Sequence, residues 1–193
     1  MSNWADNTLK VTGPEDEVAK FKQTCIRVVY EGKPAQLDFN AVVPMPNDIK
    51  GTEASCEVDE ALLALGRRGM LKSTCSLLAD KDSKRCLLSP EVLAKAEEAV
   101  ELYKKYGHFD WYTWAIANWG TKWNAVEFGV DVDAPGRYVC RFETVWSPPF
   151  PILKELGEMF PTLDFLLTGC VVEDNWGFEA RVQHGEFEFL RDH

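Results

Sequence analysis

His108 and Asp110 stand two residues apart, a spacing at which a carboxylate can orient an imidazole for proton transfer. Hydrolysis by such a pair also needs a nucleophile, and no Gly-x-Ser-x-Gly turn accompanies it. Asp110 directly precedes an apolar helical pattern, where an aspartate more simply caps the first turn. Other chemistries lack their residues too. There is no phosphate-cradling Walker loop, no dinucleotide Gly-x-Gly-x-x-Gly and no His-Glu-x-x-His. The carboxylate pairs Glu127/Asp131 and Glu186/Glu188 fall on strand faces, where water solvates them. Asp131-Val132-Asp133-Ala134-Pro135-Gly136 supplies alternating acids and a glycine but only part of a calcium loop. The six cysteines contain no Cys-x-x-Cys, and His108, His184 and His193 lie near no cysteine pair. Reduced thiols, no zinc and no cofactor are therefore expected.

The densest signal is the segment 112–125, with three tryptophans in fourteen residues and Trp111 just before them. Indoles are large and apolar with one N–H donor. Trp111, Trp114, Trp119 and Trp123 can therefore anchor a helix and its exit loop. The same residues fit a small-ligand site, with Trp119 and Trp123 as walls and Asn118, Lys122 and Asn124 as directional contacts. Both readings stay open here. Trp146-Ser147-Pro148-Pro149-Phe150-Pro151 offers a similar choice, between a polyproline ligand and a strand end leading into a proline-started helix.

Length and charge bound the elements that must position these residues. The 193 residues fit one domain, or one domain with an insertion, and 46% hydrophobic residues are ample for a core. No apolar run approaches the ~20 residues of a membrane-spanning helix. The first residues lack the basic and apolar regions of a signal peptide, so a cytoplasmic location is expected. The net charge is −10 and uneven: residues 1–89 carry 13 acidic and 12 basic side chains, residues 90–193 carry 18 and 9. Such a chain repels phosphate backbones, which argues against direct nucleic-acid binding, and attracts basic partners.

Alternation and helical spacing then place the elements. A strand is expected over 7–12, a proline-started helix with Val18, Phe21 and Cys25 buried, and a second strand over 37–43. The stretch 47–88 is the least regular and reads as an insertion with some helix, including 58–68. Ser89-Pro90-Glu91 starts a helix whose stripe is Val92, Ala96, Ala99, Val100 and Tyr103, and a short helix covers 111–118. Val126, Phe128 and Val130 alternate as a strand that pairs with 138–146. Then follow a helix over 148–160 and strands over 163–172, 176–183 and 186–190. A β-α-β unit followed by β-β-α-β gives an α+β class: a ferredoxin-like antiparallel sheet with helices on one face. The opposite face would carry Glu127, Asp131, Glu143, Asp164, Glu179, Glu186 and Glu188, with Arg141 and Arg181 for cross-strand pairs.

Four blocks give a resemblance. They are Asn3-Trp4-x-x-Asn7-x-Leu9-x-Val11-x-Gly13, then Leu37-Asp38-Phe39-Asn40-Ala41 with Pro44-Met45-Pro46, then Asn118-Trp119-Gly120-Thr121-Lys122-Trp123-Asn124-Ala125, and Thr144-x-Trp146-Ser147-Pro148-Pro149-x-Pro151. Together they resemble the YubB ferredoxin-like domain family of plasmid- and phage-borne bacterial proteins. Ser2 and Ala5 stand where that family is expected to show proline and cysteine. The resemblance implies the fold and a bacterial cytosolic setting. It implies no activity and no iron–sulfur cluster, since the cysteines have no cluster spacing. The functional expectation is a non-enzymatic accessory protein whose acidic sheet face binds a basic host or phage protein. The alternative is small-molecule binding or catalysis at the tryptophan-rich loop. The oligomeric state is left open.

Overall fold

A computed structural model of the chain describes residues 3–29, 31–55, 58–59, 62 and 89–192. They divide into two compact units, Met1–Pro44 with Ala115–His193, and Met45–Trp114.

The first unit is built on β1 (Trp4–Thr12). Its odd positions, Ala5, Asn7, Leu9 and Val11, are buried, which is the period-2 pattern of a strand with one covered face. β1 is paired antiparallel on both sides, to β5 (Arg137–Val145) and β6 (Asp164–Val171). With β4 (Val126–Ala134), β7 (Trp176–Gln183) and β8 (Glu186–Asp192) it forms a six-stranded sheet of order β4-β5-β1-β6-β7-β8. Every neighbouring pair is antiparallel.

α1 (Glu15–Cys25) follows Pro14, carries Glu15, Asp16 and Glu17 at its positive end, and buries Val18, Phe21 and Cys25. Phe21 meets Tyr138, Phe160 and Phe165 edge to face, with centroids 6.1, 5.8 and 5.8 Å apart. One such ring contributes about 2–3 kcal/mol by burial. A later helix, Phe150–Met159, buries Ile152, Leu153 and Leu156 against the same face. It also carries Gly157, where a Cβ would lie 2.0 Å from Val182 Cγ1, so the absence of a side chain sets how closely this helix approaches β7.

Two expectations are corrected in this unit. The apolar run 37–43 is no strand of the main sheet. Only β3 (Gln36–Leu37) is extended, and it pairs with β2 (Ile26–Arg27) in a separate two-stranded sheet. The chain then turns into α2 (Phe39–Val42) because the Asp38 carboxylate accepts the Asn40 N–H at 3.0 Å and caps it. The expected alternation of 126–131 also fails. β4 has register shifts between Val126 and Gly129 and between Val130 and Val132, so its side chains change face at bulges, and Val130 is 49% exposed.

In the second unit, α3 (Asn47–Lys50) precedes helical Val58, Asp59 and Leu62. The rest of the expected helix 58–68, and the stretch 63–88, lie outside the described residues. α4 (Pro90–Tyr106) begins as expected, with Ser89 Oγ accepting the Val92 N–H at 3.3 Å. Its Ala96, Ala99 and Val100 pack with Val58, Leu62 and Phe109, and Val92 and Tyr103 flank them. α5 (Trp111–Trp119) starts in this unit and ends in the other. The Phe150–Met159 helix, next in chain order, is α6.

Candidate functional site

The loop after α5 is held from several directions. Trp119 is 7% exposed and its Nε1 donates to the Val43 carbonyl at 2.9 Å. Its ring meets Phe39 edge to face. Gly120 has φ +80, and a Cβ there would lie 2.6 Å from Pro151 Cδ, so this tight turn requires glycine. The Ser147 hydroxyl donates to the Gly120 carbonyl. Thr121, fully buried, donates to the Val145 carbonyl at 2.8 Å. Asn124 Oδ1 accepts the Phe39 N–H at 2.9 Å, while its Nδ2 donates to Asp38 Oδ1 at 2.8 Å.

Asn7 extends this network. Its Nδ2 donates to Thr144 Oγ1 at 2.9 Å and to the Ala5 carbonyl at 2.8 Å, and the Thr144 hydroxyl donates to the Ser147 carbonyl at 2.8 Å. The four sequence blocks therefore lock one another. Asn7 belongs to the first, Asp38 and Phe39 to the second, Gly120 and Asn124 to the third, Thr144 and Ser147 to the fourth.

Of the five residues read as a ligand site, Trp119 and Asn124 are thus committed to the fold. Asn118 is half-buried on α5. Lys122 is half-buried and Trp123 is exposed. The Lys122 ammonium stands 4.6 Å from the Trp123 ring centre and 5.4 Å from that of Trp146. Both rings are exposed, at 43% and 41%. Trp146 was not among the expected site residues. Its backbone is left-handed, φ +71, and its N–H donates to the Asn3 carbonyl at 2.9 Å.

The sheet face away from α1 and α6 gathers the expected carboxylates. Thr8 lies opposite both Arg141 and Thr168, Asp6 opposite Glu143 and Cys170, and Glu179 opposite Thr168. Glu188 pairs with Arg181 and Glu186 with Gln183 across the β7–β8 hairpin. Asp131 is bound to Arg141 Nε at 2.7 Å, and Asp164 accepts from Gln183 at 3.1 Å. Lys10, Arg137 and Arg191 share this face and were missed, so its charge is mixed rather than mostly carboxylate. The even positions of the strand expected over 7–12 signal Lys10; Asp6 joins it because β1 starts earlier, at Trp4. At one place acids stand together without an ion pair among the described residues. Burial, then Asp6, then Glu127 push the Glu143 carboxyl above the usual range. None of the ion pairs among the described residues involves these three.

In the second unit, Asp110 caps α5 as expected: its Oδ1 accepts the Thr113 N–H at 2.7 Å and the Thr113 hydroxyl at 2.8 Å. Burial raises its carboxyl, while the Thr113 bonds and His108 pull it back. Among the described residues, no three His, Cys, Asp or Glu are placed to hold a metal ion, and no helix is long and apolar enough to cross a membrane.

No family model and no curated protein matches the chain. The crystal structure of protein api92 from Yersinia pseudotuberculosis, assigned to family-model DUF1281, superposes with a TM-score of 0.51 over 99% of both chains, at 9% identity. That likeness is one of fold.

Proposed function

We propose that this chain is a non-enzymatic accessory protein of a phage or plasmid, acting in the bacterial cytoplasm, that binds a basic host or phage protein through the sheet face opposite α1 and α6. The observation that carries the reading is the grouping of Asp6, Glu127 and Glu143 on β1, β4 and β5, where Asp6 lies opposite Glu143 and none of the three takes part in an ion pair among the described residues. A lysine or arginine from outside relieves that crowding, and this favours basic partners over others. The setting rests on the YubB-like sequence blocks. The order β4-β5-β1-β6 supports a ferredoxin-like core, β1-α1-β4-β5-α6-β6, with 45–114 inserted and β7–β8 appended. Capture from bacterial lysate at low and moderate salt tests the proposal. The partner should be lost at higher salt and lost with Glu127→Lys and Glu143→Lys; equal capture by the variant overturns it.

One observation favours a second reading, a small molecule stacked on Trp123 or Trp146 beside Lys122. A thermal-shift screen distinguishes it, because a ligand shift lost in Lys122→Ala belongs to these rings.

A further inference from the structure

β8 ends the sheet, and its sequence, Glu186-Phe187-Glu188-Phe189, alternates acid and ring. The turn before it fixes which main-chain groups face outward. His184 and Gly185 are both left-handed, φ +53 and +77, in a two-residue loop closed by Gln183 and Glu186. In such a hairpin the closing pair is hydrogen-bonded and the pairs alternate from there. Glu186 and Glu188 therefore direct their main-chain groups to β7, while Phe187 and Phe189 direct theirs away from it. A bulge at Leu190 ends the regular run.

The side chains divide the other way. Glu186 and Glu188 are exposed on the sheet face away from α1 and α6. Phe187 and Phe189 point to the helix side and meet Phe150 edge to face at 6.0 and 5.6 Å. Lys154 covers Phe187 at 4.5 Å, whereas Phe189 is 43% exposed. The opposite edge is unsuited to pairing. β4 is broken by two register shifts, and Gln36 Nε2 occupies the Ala125 carbonyl beside its start at 2.7 Å.

We propose that β8 receives an extended segment of the partner as an added strand, a mode in which main-chain bonds supply affinity and alternate side chains supply selection. The inference rests on the reading that the partner is basic. The segment would carry lysine or arginine at alternate positions, facing Glu186 and Glu188, and apolar residues between them, resting on Phe187 and Phe189. A second copy of this chain is a poor occupant, because its net charge is −10 and its own glutamates would meet these.

The probe is a fluorescein-labelled peptide of alternating lysine and valine, followed by anisotropy. It is compared with the same residues in separate lysine and valine blocks, and with the alternating peptide N-methylated at its valines. The alternating peptide should bind roughly tenfold tighter than either, since the others lose the side-chain match or the inward N–H groups. Phe189→Pro removes an outward N–H without touching the ladder to β7, and should weaken the alternating peptide by about the same factor beyond Phe189→Ala, which loses the same ring contact with Phe150 but keeps the N–H. Equal, salt-sensitive binding of all three peptides overturns the added strand and leaves the basic-partner reading standing. No binding of any of them at low salt overturns both.

Discussion

The side-chain oxygen of Asn124 accepts the backbone N–H of Phe39 at 2.9 Å, across 85 residues of sequence. That N–H opens α2 and has no partner within its own helix. Asn124 also donates to Asp38, which caps the same helix. Asn124→Ala should therefore lower stability by about 2–3 kcal/mol, because a part-buried donor and a carboxylate lose their partner together. Urea denaturation measures it. A loss below about 0.5 kcal/mol, the level of a surface change, would free Asn124 for a ligand role.

Gly157 sets two effects against each other. Alanine in mid-helix gains up to about 1 kcal/mol over glycine. The added methyl, however, would start 2.0 Å from Val182 Cγ1, and overpacking costs about 1–3 kcal/mol. Gly157→Ala should be net destabilising. Combined with Val182→Ala it should destabilise by less than the sum of the two single changes, which a double-mutant cycle reads directly.

Glu143 predicts a pH dependence. Its carboxyl is raised in the folded chain by burial, Asp6 and Glu127, so the folded state holds the proton more tightly than the unfolded one. The corresponding stability is present below the ordinary glutamate range and is lost as pH rises through the raised value. Glu143→Gln should consequently be more thermostable than the parent at neutral pH. The difference should close on acidification; a difference constant with pH would show that Glu143 is not strained by its neighbours.

Cys25 and Cys140 are buried, and burial pushes both thiols up to about 12. At pH 8 the thiolate fraction is then roughly one in ten thousand. Native alkylation with iodoacetamide, followed by mass spectrometry, should label the half-buried Cys170 before Cys25 and Cys140, which stay intact until denaturant is added.

Much of the fold was legible in local pattern. The alternation of β1, the stripe of α1 and the cap-and-proline start of α4 are encoded within a few residues each, and each element appears, β1 beginning three residues before its expected start. The 37–43 run failed because hydrophobicity marks burial, not backbone. Asp38 is a helix capper, and its influence on the residues after it exceeded that of the apolar stretch. β4 failed because bulges are set by the partner strand's register and leave no local trace.

The candidate site was legible in composition and misread in geometry. The blocks around Asn7, Asp38, Asn124 and Ser147 stood out, but their polar residues turn inward and bind one another. Trp146 could not be associated with Lys122 from sequence, since the two meet only after β4 and β5 have folded back. Asp6 was out of reach because the strand was read from Asn7, whereas it starts at Trp4.

β1 takes both neighbours from much later sequence, with Ala5 paired to Thr144 on one side and to Val171 on the other. During synthesis β1, which ends at Thr12, must wait until Asp164 and the residues after it are made before its second edge is covered. Until β5 is made it has two open edges, and until β6 is made it has one, exposed to chaperones and to other nascent chains. The middle of the sheet thus closes only once β6 is made, and a nonsense codon anywhere before residue 164 leaves β1 without β6 to complete it.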